Sequence, residues 1–124
     1  MAEITKHIDP ANDLTSYTVT GKLAAEEVKQ VITQFYSGQV TKLVLWDLTN
    51  ADLSALHKPD IEAIAQTPRT KSQQRIQGKT ALVASEDLAF GLSRMYETLT
   101  NLEHLPFETH VFRTTTDAMN WLLE

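Results

Sequence analysis

Residues 80–96 read Thr80-Ala81-Leu82-Val83-Ala84-Ser85-Glu86-Asp87-Leu88-Ala89-Phe90-Gly91-Leu92-Ser93-Arg94-Met95-Tyr96. Thr80 to Ala84 is a short apolar run of the kind that forms a strand covered on both faces. Ser85-Glu86-Asp87 is helix-start chemistry, with Ser85 in a position to cap. Leu88, Leu92, Met95, Leu99 and Leu102 then recur at spacings of four, three, four and three, the clearest amphipathic helix in the chain. A covered strand feeding straight into a helix is half of a crossover unit, so its flanks decide whether the sheet is parallel.

The flanks repeat the theme. Downstream, Pro106 opens a strand through Phe107, Val111 and Phe112, and Thr114 to Asp117 fits a capping pattern before a short helix with Ala118, Trp121 and Leu122 on one face. Upstream, Val40 to Leu48 is a second nearly continuous apolar run. Pro59, Asp60 and Glu62 open the helix that follows, Ile61, Ala63, Ile64 and Ala65 are its apolar residues, and Pro68 stops it. Before that, Ala25, Val28, Ile32 and Phe35, flanked by Val31 and Tyr36, mark a helix with Glu26 and Glu27 in its first turn and Ser37-Gly38 at its end. The N-terminus reads as a hairpin, with strands Ile4 to Ile8 and Tyr17 to Gly21 around the turn residues Asp9 to Asp13. The predicted order is β-β-α-β-α-β-α-β-α, an α/β fold with a two-layer mixed sheet: an antiparallel N-terminal hairpin, then parallel strands with right-handed crossovers. No repeat or linker divides residues 1–124, which are expected to form a single domain.

Composition narrows the function classes. The 124 residues carry a net charge of −5, which disfavours duplex DNA and anionic membrane surfaces. With no cysteine, there is no disulfide framework, thiolate metal site or cysteine nucleophile. No signal peptide pattern and no apolar run near the roughly 20 residues of a membrane span is visible, so a cytoplasmic protein is expected. The 4 glycines are well separated, which excludes recognisable dinucleotide and phosphate loops. His7, His57, His104 and His110 lack helical metal-site spacing. Neither a metal nor a cofactor is implied.

Ligands of open α/β sheets bind beyond the carboxyl ends of the strands. That rule selects Asp47, Thr49 and Asn50 after the third strand, Ser85 and Glu86 after the fourth, and Arg113 and Thr114 after the fifth, where an anion could meet helix starts. The bland reading is that they only cap helices and finish turns. Arg94, on the long helix, is a further candidate for a ligand or partner. Arg69, Lys71, Arg75 and Lys79, with no acid between residues 66 and 79, form either a solvated basic face or a site for an acidic partner or lipid phosphate. Without interleaved aromatics, that stretch does not suggest single-stranded nucleic acid. Gly91, in mid-helix, predicts a close backbone approach, most simply to the sheet.

The order of elements and four motifs resemble the SpoIIAA-like fold, the STAS group of anti-sigma-factor antagonists, and in particular small bacterial STAS or CRAL-TRIO-like proteins. The motifs are Val19-Thr20-Gly21-Lys22-Leu23 with Glu26-Glu27, Leu45-Trp46-Asp47-Leu48, Phe90-Gly91-Leu92-Ser93-Arg94-Met95-Tyr96, and Val111-Phe112 leading to Ala118-Met119-Asn120-Trp121-Leu122. The resemblance implies a regulatory or protein-interaction module without enzymatic activity, or alternatively a domain for a small apolar or anionic ligand such as a lipid. A catalytic site from Asp47, Ser85 and Arg113 ranks third. The phosphorylated members resemble one another in an Asp-Ser-Ser/Thr-Gly stretch. The corresponding Leu48 to Leu56 here keeps Asp52 and Ser54 but has neither the adjacent Asp-Ser pair nor the glycine. A homodimer is a further expectation, through the edge hairpin or the helix around Gly91.

Overall fold

Alternating and apolar segments become five strands of one sheet, in the spatial order β1-β2-β3-β4-β5. The computed structural model describes residues 2–124. The strands are β1 Glu3–Asp9, β2 Leu14–Lys22, β3 Leu43–Asp52, β4 Gly78–Val83 and β5 Phe107–Phe112. The helices are α1 Ala25–Ser37, α2 Lys58–Ala65, α3 Asp87–Leu102 and α4 Thr115–Leu122, and a 3-10 turn spans Ser72–Arg75. β1 and β2 are antiparallel, and every later pairing is parallel. The predicted order and strand directions hold.

Side-chain alternation sorts the residues between two faces. Tyr17, Val19, Val44, Trp46, Leu48, Leu82 and Phe107 join the large core beneath α1, α2 and α3. Leu14, Leu45, Ala81 and Val83 point the other way, onto Ala118 and Leu122 of α4. The layering therefore differs from the expected two layers, because α4 alone covers the second face. Its apolar face is narrow, two buried residues in eight, and matches the small patch it covers.

β3 is longer than expected and takes Thr49 and Asn50 into the strand. Thr18 pairs with Asp47 and Thr20 with Asn50, so Leu48 and Thr49 together oppose Val19. This bulge is held by Asp47, whose Oδ1 accepts the Thr49 N–H at 3.0 Å. Pairing then continues to Gly21 opposite Ala51 and Lys22 opposite Asp52. Gly21 has φ 86°, a conformation open to glycine at no steric cost.

α3 is rotated relative to its leucine stripe. The residues it buries are Ala89, Ser93 and Thr100, whereas Leu88 and Leu102 are 55% and 68% exposed. Small side chains allow the helix axis to lie close to the sheet, while Leu92, Met95 and Leu99 flank that line, half-buried. Gly91 falls on the outer side, where an added Cβ would meet nothing within 4 Å. The predicted close approach is absent. Gly91→Ala should therefore stabilise the chain by about 1 kcal/mol through helix propensity alone. A urea midpoint that falls instead would show a constraint at this position.

α3 also covers the outer edge of β5. Asn101 donates to the Thr109 carbonyl at 3.1 Å and accepts the Thr109 N–H at 3.2 Å. One turn earlier, Glu97 accepts the Val111 N–H at 2.9 Å. Four helical residues rise about 6 Å and two strand residues about 6.6 Å, so the two side chains match alternate backbone groups of the strand.

Candidate functional site

The carboxyl end of β3 and the start of α3, which follows β4, line an open depression of about 380 Å³. Thr49, Asn50, Asp52, Glu86 and Leu88 are among its lining residues. Three of the predicted site residues, Thr49, Asn50 and Glu86, therefore come together. Asp47 instead turns its carboxylate back into the bulge. At the mouth, Asp52 accepts the Ser54 N–H at 2.9 Å, and hydrogen bonding by Ser54 holds its carboxyl below the ordinary aspartate range.

Arg113 lies on the other side of the α3 N-terminus. Its Nη1 donates to the Ser85 carbonyl at 2.9 Å and to Asp87 Oδ1 at 3.0 Å, and its guanidinium sits 3.9 Å from the Phe90 ring centre. Ser85 thus contributes its backbone oxygen. The N-cap of α3 is Glu86 rather than Ser85, with no side-chain cap bond. Thr114 does cap α4, accepting the Asp117 N–H at 3.2 Å. Arg94 lies further along α3, exposed, with Nε 3.1 Å from Glu97 Oε1. Arg94, Arg113 and Thr114 are not part of the depression.

The basic stretch is not a solvated face. Arg75 is only 2% exposed. It donates to the Lys42 carbonyl from Nε and Nη2 at 3.3 and 3.1 Å, to the Lys79 carbonyl at 2.9 Å, to Thr80 Oγ1 at 2.8 Å and to the Tyr36 hydroxyl at 3.0 Å. Arg69 donates to the Ala65 and Thr67 carbonyls and, at 2.7 Å, to the Tyr96 hydroxyl. Lys79 reaches across to the other face, where Nζ donates to the Trp121 carbonyl at 2.7 Å. Of the four cations, only Lys71 is left exposed. The absence of any acid in the segment was the available sign, since backbone carbonyls and phenols serve as acceptors instead.

Tyr17, 4% exposed, lies against Trp46 with ring centres 4.8 Å apart. Burial, with the Tyr36 phenol adding, pushes the Tyr17 phenol up to about 12. A raised folded-state value means that stability is complete below the unfolded value near 10 and is lost as pH rises towards 12. At pH 11 the wild type should lose roughly 1 kcal/mol more than Tyr17→Phe, relative to pH 9. Urea unfolding of both proteins at the two pH values tests this; equal losses would place the phenol in water.

No family model matches the chain, and no curated protein matches it. Solved structures do. An uncharacterized protein of the DUF3478 family with a SpoIIAA-like fold, from Shewanella loihica PV-4, aligns over 98% of this chain and 93% of its own, at 20% identity and TM-score 0.55. The chain has a SpoIIAA-like fold. An anti-sigma factor antagonist from Mycobacterium paratuberculosis aligns over 98% of this chain and 96% of its own, at 14% identity and TM-score 0.47. An antisigma-factor antagonist STAS domain from Rhodobacter sphaeroides aligns over 100% and 94%, at 13% identity and TM-score 0.37. In this SpoIIAA-like chain, the stretch that differs from the Asp-Ser-Ser/Thr-Gly pattern runs from the end of β3 through the turn at Ser54 towards α2, beside the depression. Among the described residues, no helix is long and apolar enough to cross a membrane.

Proposed function

We propose that the chain is a regulatory module of the STAS group that acts by binding a protein partner at the carboxyl end of the sheet, without turnover and without phosphorylation at Ser54. One observation carries this reading: Leu88, 55% exposed, lines an open depression whose other residues are mostly polar. A protruding apolar side chain within a polar rim is the composition of a protein contact. A photocrosslinker at Asn50, used in the host cell, should give one recurring protein adduct. Leu88→Asp should weaken that adduct about tenfold, an amount typical of a lost apolar anchor. A crosslinker at Gln30, on the exposed side of α1, should give none. Equal adducts at both positions, or none at Asn50, would overturn the reading. A phosphate found on Ser54 by intact mass would overturn its last clause.

A second reading, a small-molecule or lipid-binding domain, rests on an apolar cavity of about 60 Å³ between α1, α2, α3 and the sheet, lined by Trp46, Leu48, Leu56, Ile64 and Leu92 among others. Dry cavities of about 150 Å³ admit benzene, and drug-sized ligands fill about 300–1,000 Å³. A lipid would therefore have to part the helices. A native mass spectrum showing an added mass that leaves on denaturation favours this reading, and a bare chain mass counts against it.

A further inference from the structure

A second void on the same face has apolar walls, Ile32, Phe35 and Phe107 among them, into which several hydrogen-bond donors are set. It measures about 30 Å³, near the amino ends of β3, β4 and β5, and Tyr17, Tyr36, Trp46, Arg69, Arg75 and Tyr96 line it. Arg75 and Arg69 pair with no carboxylate among the described residues. The Tyr36 and Tyr96 hydroxyl oxygens accept from the two guanidinium groups, so their own protons are left to donate elsewhere. Among the described residues neither hydroxyl is seen donating to a protein acceptor, and the Tyr17 hydroxyl, also without a protein partner, is not sealed from solvent.

The charge balance points the same way. A buried cation without a counter-charge costs several kcal/mol. The Phe107 ring, 3.9 Å from the Arg75 guanidinium, and Phe35 at 5.7 Å offset part of that cost. Arg69 adds a second positive charge that works against the first. A water molecule would bring two more protons to a place already rich in donors, whereas an anion brings only acceptors.

We propose that this void binds a compact monovalent anion, a halide or a carboxylate, held by Arg69, Arg75 and the hydroxyls of Tyr17, Tyr36 and Tyr96. The space suits one or two atoms of water size, so a halide fits whole, and a carboxylate fits with its two oxygens here and its carbon towards the neighbouring apolar cavity, whereas a sulfate has nowhere to place its other oxygens. Ile32, Trp46 and Tyr96 line this void and the 60 Å³ apolar cavity alike, so a carboxylate held here has an apolar path for a carbon tail. The site is independent of the Leu88 surface and stands or falls separately from it.

The test is thermal unfolding of the full chain in sodium bromide, sodium acetate or sodium octanoate, each replacing sodium sulfate at constant ionic strength. Bromide or acetate should raise Tm saturably, although sulfate is the more stabilising salt for a protein without a site. Arg69→Gln and Tyr96→Phe alter half-buried groups and leave the Arg75 bonds to Lys42 and β4 in place. Each should weaken the half-saturating concentration about tenfold, as expected for a lost charge-assisted bond. Octanoate binding about tenfold tighter than acetate would assign the site to a carboxylate with an apolar tail. Octanoate binding no tighter, beside a saturable bromide response, would assign it to a free small anion. No saturable response to any of the three, or unchanged responses in both variants, overturns the proposal.

Discussion

Replacing Arg75 with alanine is expected to destabilise the chain by about 4 kcal/mol, the range seen when a buried charge network loses a member. The expectation follows from what the guanidinium leaves behind. The carbonyls of Lys42 and Lys79, the Thr80 hydroxyl and the Tyr36 hydroxyl each lose a donor. Each buried group left unsatisfied costs about 1–3 kcal/mol, less whatever water recovers. The side chain also fills space against Phe35 and Phe107, so its removal adds a cavity cost. Arg75→Lys keeps the charge but loses the planar fork, and should recover only part of the loss. Urea unfolding of the three proteins tests this. A loss below about 1 kcal/mol for alanine would match a surface arginine instead.

Gly78→Ala should cost about 3 kcal/mol, at the upper end for inserting a methyl group into packed structure. An alanine Cβ here would stand 2.4 Å from the Lys42 carbonyl oxygen and 2.7 Å from that of Arg75. Both atoms are backbone, so neither can swing aside. The Lys42 oxygen already accepts from Arg75 and from the Lys79 N–H at 3.0 Å, so displacing it strains β3, β4 and the arginine together. The Gly78→Ala and Arg75→Ala losses should therefore be non-additive, which a double-mutant cycle by urea unfolding measures. Gly91→Ala, the same change on the open side of α3, carries the opposite expected sign and serves as the internal control.

Much of the fold was legible because its signals are local. The switch from period two at Tyr17–Gly21 to a helical period at Ala25 needs no tertiary information, and the covered strands β3 and β4 read as apolar runs. The rotation of α3 was not legible. Its leucines outweigh Ala89, Ser93 and Thr100 on any hydrophobic count, yet the distance between helix and sheet selects the small residues. The length of β3 was hidden by the bulge, which carries the polar Thr49 and Asn50 into a strand. At the site, the rule about strand ends brought Thr49, Asn50 and Glu86 together, but chain order alone could not show that Arg113 turns to Ser85 and Asp87. Arg75 went unrecognised because arginine is almost never fully buried, and its acceptors on α1, on β4 and at Lys42, just before β3, are assembled only by the fold.

The two ends of the sheet differ in what they offer a neighbouring chain. Glu97 and Asn101 occupy the hydrogen-bonding positions of Thr109 and Val111 on β5. β1, paired only to β2 among the described residues, keeps its outer row of backbone groups, and Glu3, Lys6 and His7 are exposed along it. Growth of a continuous sheet from copy to copy needs a free row at both ends of each molecule. Here the middle of one row, the Thr109 N–H and carbonyl and the Val111 N–H, is already bonded by the chain itself. Pairing of another copy along β5 would first have to displace Glu97 and Asn101, whereas β1 against β1, a two-fold contact that uses up both open rows, displaces nothing, so the chain itself biases edge pairing towards closed pairs and away from filaments.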